Sequence, residues 1–257
     1  MTTAEPIQAI PRNATAVIVG AGDFIGAAIA RKFAAKGYIV HMGRRQGEKL
    51  APLQAEIEAA GGRAVAHTLD ARDEDQIVEF FRQAEAHAPI EVCVFNIGAN
   101  VNFGLLDTTS RVFRKVWEMA CFSGFLTGRE AIRHMLPRGH GSLFFTGATS
   151  SLRGKEGFSA FSSAKFALRA VAQSAAREFG PQGIHVAHLV IDAGVDTAWV
   201  RNIIRTRGGE EAIANLKPDD LMRPESVAEA YWALHTQARD GWTFEMDIRP
   251  YNQRHMD

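Results

Sequence analysis

Short apolar runs alternate along the chain with longer segments of helical periodicity. "ATAVIVG" (residues 14–20) is apolar almost throughout and reads as a buried strand. "GAAIARKFAAKG" (26–37) then sets Ile29 and Phe33 four residues apart and closes on Gly37, as a helix with a glycine C-cap does. The alternation continues: strand "YIVHMG" (38–43), helix "EKLAPLQAEIEAAGG" (48–62), strand "RAVAHTLD" (63–70), helix "DEDQIVEFFRQAEAH" (73–87). "IEVCVFN" (90–96) and "GSLFFTG" (141–147) are continuous apolar strands, suited to burial on both faces. Each leads into a long helical pattern, at about 107–136 and 157–180. "IHVAHLVI" (184–191) is a sixth strand. A polar helical stretch near 196–215, a helix over 224–239 and a last strand in "WTFEMDI" (242–248) complete the pattern. Strict strand–helix alternation predicts an α/β fold, a parallel sheet with helices on both faces. No linker composition interrupts it, so residues 13–257 read as one domain and 1–12 as a loose tail.

Composition narrows the function classes. Lys plus Arg and Asp plus Glu both number 29, so the chain lacks the bulk positive charge of a protein that binds nucleic acid through phosphate attraction. Cys93 and Cys121 lie in apolar runs without metal-ligand spacing and read as buried thiols; no metal site is expected. No apolar run approaches the roughly 18 residues of a membrane span. The opening residues lack the charged-then-apolar layout of a signal peptide, so a cytoplasmic protein is expected.

The candidate chemistry begins where the first strand ends. "GAGDFIG" spans Gly20, Gly22, Asp23, Phe24, Ile25 and Gly26 between a strand and a helix. A glycine-rich turn in that setting lets backbone N–H groups and the helix N-terminus approach a pyrophosphate. Gly20 permits the tight turn and Gly26 the close packing of helix on strand; a turn without ligand is the plainer alternative. The second strand ends in Arg44 and Arg45, where an acid would bind the adenosine ribose hydroxyls. Forked guanidinium donors there suit a 2′-phosphate, which favours NADP(H) over NAD(H). Asp70, closing the third strand, either accepts a hydrogen bond from adenine or caps a helix.

"GAGDFIG", "LDARDED", "FNIG", "SAFSSAKFAL" and "GVDT", in this order and spacing, resemble the short-chain dehydrogenase/reductase superfamily over about residues 13–248. The resemblance implies a doubly wound, Rossmann-type sheet of seven strands, a nicotinamide cofactor, and a homodimer or homotetramer formed through the long helices 107–136 and 157–180. It matches Asn96 and Gly98 to the Asn-Ala-Gly motif, Lys165 to the lysine that holds the nicotinamide ribose, and Thr197 to the threonine that contacts the nicotinamide amide. The departures are as informative. Phe24 stands at the middle glycine of the turn, Asp192 and Ala193 at the Pro-Gly, Cys121 at the active-site asparagine, Ala148 at the serine and Phe161 at the tyrosine. Of the four catalytic positions only Lys165 is kept.

A phenyl ring cannot protonate a substrate oxygen, and a positioned acid is worth roughly 10²–10⁴ in rate. Two replacements stand out. Thr149 directly follows the serine position, and Asp192 lies at the carboxyl end of the sixth strand, where burial beside an apolar substrate would raise its pKa and make it an acid. Ser162 and Ser163 point away from the direction of Phe161. Of the tyrosines, Tyr38 lies at the remote end of its strand, Tyr231 on the last long helix, and Tyr251 near the C-terminus, where a neighbouring subunit could use it. Phe103, Phe158, Phe161 and Trp199 suggest an apolar cleft. Two functions follow. One is an NADP(H)-dependent oxidoreductase with an altered proton-donor set, acting on a carbonyl or activated C=C of an apolar small molecule. The other is a catalytically inactive NADP(H)-binding sensor, regulatory or partner subunit.

Overall fold

The computed structural model describes residues 11–252. The tail expected over 1–12 lies outside them save for its last two residues. Of these Arg12 belongs to the fold: its amide donates to the Gly37 carbonyl and its Nε to the Lys36 carbonyl.

Seven strands form one sheet: β1 (Thr15–Val19), β2 (Ile39–Arg44), β3 (Arg63–Thr68), β4 (Ile90–Phe95), β5 (Gly141–Ala148), β6 (Ile184–Ile191) and β7 (Glu245–Ile248). Their order is β3-β2-β1-β4-β5-β6-β7 and every neighbouring pair is parallel. The helices are α1 (Ile25–Ala35), α2 (Ala51–Ala59), α3 (Glu74–His87), α4 (Ser110–Trp117), α5 (Ser123–Met135), α6 (Ser159–Phe179), α7 (Ala198–Ala214) and α8 (Pro224–His235). The two-residue period of a strand divides the apolar runs between two cores. β1 sends Ala16 and Ile18, and β4 Val92 and Val94, to the face covered by α1, α2 and α8. Val17 and Val19, with Cys93 and Phe95, face α3, α5 and α6. Phe33, Phe81 and Phe144 are fully buried, each contributing roughly 1.5–3 kcal/mol of hydrophobic stabilisation. The strand order reverses between β1 and β4, and in an open parallel sheet that reversal opens a crevice at the carboxyl edge.

Three helices depart from the expected outlines. The pattern at 107–136 starts at Ser110, where the Thr109 hydroxyl caps the Val112 amide, and it contains a π turn over Glu118–Phe122. At that turn the Ser123 hydroxyl donates to the Met119 carbonyl (2.6 Å), a side-chain competitor for the backbone ladder. The helix expected over 224–239 stops at His235. Thr236 turns its hydroxyl back on the Trp232 carbonyl, and Gln237 ties both its amide ends to Thr243. The polar stretch near 196–215 is helical but is broken at Gly209, which sits at φ 71°.

Several histidines are built into the fold. His41 is fully buried and lies within 2.9 Å of a His67 ring nitrogen and 2.8 Å of one on His87. Burial pushes His41 down to about 3, and His188 and His235 to about 4; His67 and His185 are lowered by the same cause. The unfolded chain therefore binds protons below about pH 6.5 that the folded chain refuses, and stability must rise with pH across that range. We expect the unfolding free energy to fall steadily as the pH is lowered from about 6.5 towards 4. Urea denaturation across that series checks it; a level profile down to about pH 5 would contradict the assignment.

Candidate active site

The carboxyl ends of β1, β2, β3 and β4 enclose a cavity of about 480 Å³. Its floor is the glycine turn. Gly20 takes φ 92°, and a Cβ there would lie 2.8 Å from the Asn96 carbonyl oxygen, so only glycine fits. At Gly26 a Cβ would lie 2.6 Å from the Ala21 Cα, so this glycine lets α1 pack against the turn. Gly22 and Gly98 differ: a Cβ on either would meet nothing within 4 Å, and both border the crevice. α1 begins with no side-chain cap, which leaves its first amides for an anion. Phe24 is 38% exposed and stands outside the cavity lining, so its ring does not plug the turn. Asn96 braces the floor, donating from Nδ2 to the Gly20 carbonyl (3.1 Å) and accepting from the Thr146 hydroxyl (3.1 Å).

Charge along the cavity is divided. Arg44 is tied across the turn to Asp23 (2.6 Å), whereas Arg45 has no hydrogen bond or ion pair among the described residues. Asp70 lines the cavity beside Arg72, whose guanidinium, with burial working against it, holds the Asp70 carboxyl below the usual range. Lys165 is 2% exposed. Its ammonium donates to the carbonyls of Thr146 (2.8 Å) and Ile97 (3.2 Å) and lies 5.8 Å from the centre of the Phe161 ring. Burial pushes Lys165 down to about 8, and the nearby Cys121 works the other way. Burial in turn raises the Cys121 thiol.

A second cavity, about 390 Å³, opens at the ends of β5 and β6. Thr149 and Asp192 meet there directly: the Thr149 hydroxyl donates to Asp192 Oδ1. Arg153 Nη2 reaches both Asp192 oxygens at 3.3 Å, and Arg249 lies 3.8 Å from Oδ2. Phe158, Trp199 and Ile203 supply apolar wall, and Arg207 and the asparagines Asn100 and Asn102 supply polar wall.

Residues 14–208 match the short chain dehydrogenase family. The chain belongs to that family. A solved short-chain dehydrogenase from Rhodopseudomonas palustris is 58% identical, with a TM-score of 0.81 over 94% of this chain and 100% of its own. An alcohol dehydrogenase from the archaeon Thermococcus sibiricus, solved with 5-hydroxy-NADP, is 26% identical, with a TM-score of 0.80 over 94% of this chain and 98% of its own. Among curated proteins, the cis-4-hydroxycyclohexanecarboxylate dehydrogenase of Sinomonas cyclohexanicum is 30% identical over 87% of this chain and 89% of its own length.

Set against the short-chain dehydrogenase expectations, the crevice gathers Gly20, Gly22, Arg44, Arg45, Asp70, Asn96 and Gly98 in one lining. Asp23, Phe24, Ile25, Gly26 and Lys165 flank or underlie it. Thr197 lies outside both linings and caps α7 by accepting from the Val200 amide. Phe161 is buried at 7% exposure among Ala160, Ala164 and Cys121, so it is core rather than cleft wall. Ala148 is half-buried against the same cluster. The expectation that Asp192 has a raised pKa is overturned. Burial alone would raise it, but the Thr149 hydrogen bond and the guanidinium groups of Arg153 and Arg249 hold it below the usual range. Thr149 spends its single proton on that carboxylate. Tyr38 and Tyr231 are buried, the latter 2.6 Å from the Thr146 hydroxyl, and Tyr251 is 85% exposed.

The sequence reading missed Met119 and Ser123, which the π turn brings to the first cavity, and Arg153, Arg207, Asn100 and Asn102 in the second. Arg153 had a readable signal, a cation in "TSSLRGKEG" five residues after the serine position. Among the described residues no group of three or more His, Cys, Asp or Glu could hold a metal ion, and no helix is long and apolar enough to cross a membrane.

Gly98 supplies a test of the crevice. Gly98→Val adds bulk only to open space, so it should abolish binding of a dinucleotide while the melting temperature of the apo chain stays within about 2 °C. Gly26→Ala should instead lower the melting temperature. Calorimetric titration with NADPH and thermal scans of both variants check this; tight NADPH binding by Gly98→Val would remove the crevice as the cofactor site.

Proposed function

We propose that this chain is an NADP(H)-dependent oxidoreductase that reduces a carbonyl or an activated C=C in a small molecule without a tyrosine acid. The observation that carries the reading is the crevice at the strand-order reversal, walled by glycines that leave it open and edged by the uncommitted Arg45. Its residues fit a dinucleotide: the turn and α1 for the pyrophosphate, Arg45 for a 2′-phosphate, and Asp70 for adenine. Lys165 has two of its three N–H donors on carbonyls and one left for a ribose hydroxyl. The cofactor, when bound, supplies hydride.

The rest of the chemistry falls to the second cavity. Asp192 is ionised and holds the Thr149 proton, so neither is an acid at neutral pH. Arg153 is a fixed cation that can hydrogen-bond a substrate oxygen and offset the negative charge that grows on it, but it does not protonate it. That combination suits conjugate reduction, in which hydride goes to the β-carbon and water protonates the α-carbon. For a simple ketone it leaves positioning and charge stabilisation without acid catalysis.

The same observation favours a second reading, an NADP(H)-binding sensor, regulatory or partner subunit without turnover. The long helices support assembly of copies. Phe125 on α5 and Phe166 on α6 are about two-fifths exposed, and an apolar groove containing Phe125, Ile132, Val171 and Phe179 runs between these helices. We propose a homodimer or homotetramer through them.

Two results discriminate. Arg45→Ala should weaken NADPH binding roughly 10- to 100-fold, the value of a charged hydrogen bond, and change NADH binding little. Equal losses for both coenzymes would count against NADP(H) selection. The double variant Ala148→Ser/Phe161→Tyr should gain ketone reductase activity, by about 10² or more where the new phenol turns from the Cys121 and Ala164 cluster towards Lys165 and the cleft, and little where it stays buried. Stopped NADPH oxidation with a panel of ketones and enones, wild type beside variant, reads it. Turnover of enones by the wild type supports the first reading; NADPH binding with no turnover of any compound supports the second.

A further inference from the structure

The second cavity carries more positive charge than its own acid uses. Asp192 is its one carboxylate, and it is answered by Arg153 within the cavity and by Arg249 behind it. Arg207 is left over: it lines the same cavity and makes no hydrogen bond or ion pair with any described residue. The neighbouring arginines of α7 are committed, Arg201 to Asp196 and Arg205 to Glu210. The uncommitted guanidinium is the one whose position faces the cleft.

Helical spacing explains how it gets there. Trp199, Ile203 and Arg207 follow one another at four-residue steps on α7, so they form one stripe along the face that closes the cavity. The stripe is graded. It starts with an indole at the helix N-terminus, continues through an aliphatic side chain and ends in a cation about 12 Å further along the axis, at 1.5 Å per residue. Phe158 adds a further apolar side chain to the lining, and Asn100 and Asn102 add neutral hydrogen-bonding groups. A neutral, wholly apolar substrate would use the first two steps and leave the guanidinium idle.

We propose that the substrate of this cleft is a monocarboxylic acid with an apolar ring or chain as its body, and that Arg207 receives its carboxylate. This rests on the reading of the second cavity as the substrate side of an oxidoreductase. It replaces the expectation of a purely apolar substrate. Arg207 is then a specificity-determining residue, remote from the reacting carbon, and a guanidinium suits the task because its paired donors match both carboxylate oxygens.

The test uses the full chain with NADPH and a series of aryl and alicyclic keto acids, each beside its methyl ester, for example 4-acetylbenzoate and methyl 4-acetylbenzoate. Binding is followed by tryptophan fluorescence and turnover by NADPH oxidation. The acids should bind roughly 10- to 100-fold more tightly than their esters. Arg207→Gln should erase that difference without changing NADPH binding, and Arg205→Gln, off the stripe, should leave it intact. Esters binding as well as acids across the series, binding of none of the compounds, or an acid preference that survives Arg207→Gln would overturn the proposal. Failure of the underlying reading looks different: the acids bind with Arg207-dependent preference, but no compound is reduced. Reduction of acids and esters alike would leave the oxidoreductase standing and remove the carboxylate.

Discussion

Five elements meet at one chain of polar contacts on the carboxyl edge of the sheet. The Tyr231 hydroxyl from α8 pairs with the Thr146 hydroxyl from β5, Thr146 with Asn96 Oδ1 after β4, and Asn96 Nδ2 with the Gly20 carbonyl after β1. Lys165 of α6 completes it through the Thr146 and Ile97 carbonyls. Each bond is worth only about 1 kcal/mol net, but leaving one of these buried groups unpaired costs more, about 1–3 kcal/mol. The chain therefore fixes where the strand ends lie relative to one another. It sets the width of the crevice and keeps the Gly20 turn pressed against Asn96. The site's geometry is a by-product of satisfying polar groups that the parallel sheet leaves at its edge.

Around that frame the two cavities divide the work. The first is a cradle of backbone and glycine with a cationic rim, as a charged, extended nucleotide requires. The second is a mixed pocket whose acid and hydroxyl have been turned on each other. An ionised Asp192 holding the Thr149 proton is a stable arrangement with two arginines nearby, and for that reason it is poor at giving protons away. Charge is thus available in this cleft mainly as fixed cations. Such an arrangement favours recognition and stabilisation of anions over acid catalysis.

Much of this was legible in the sequence because it rests on local chemistry. The strands and all but the outlines of the helices follow from apolar runs and four-residue spacing. The crevice follows from Gly20, Gly26, Asn96 and Gly98, whose roles are steric and tied to strand ends. What escaped depends on distance in the chain. Nothing local says that Thr149 touches Asp192, 43 residues on, or that Arg153 spans it. Burial alone would make Asp192 a candidate acid beside Thr149; the neighbours decide the sign. The position of Phe161 in the sequence suits cleft wall or core equally, and its ring turns into the small cluster with Cys121 and Ala164. The side-chain environment of Arg207 depends on how α7 lies over the sheet, which periodicity alone cannot give.

The π turn at Glu118–Phe122 has a consequence for how this helix can change. A wider loop of backbone holds one residue more than an ordinary turn, so the segment carries slack. Loss of a single residue there can be absorbed by tightening to α geometry, with Phe125, Arg129 and Ile132 keeping their facing. The same loss one turn later would swing everything downstream by roughly 100° and bring the wrong side chains to the sheet. The bulge is thus the one place along Ser110–Met135 where length can vary while the buried face keeps its phase. Any count that equates Cys121 with a position in a relative has to pass through it.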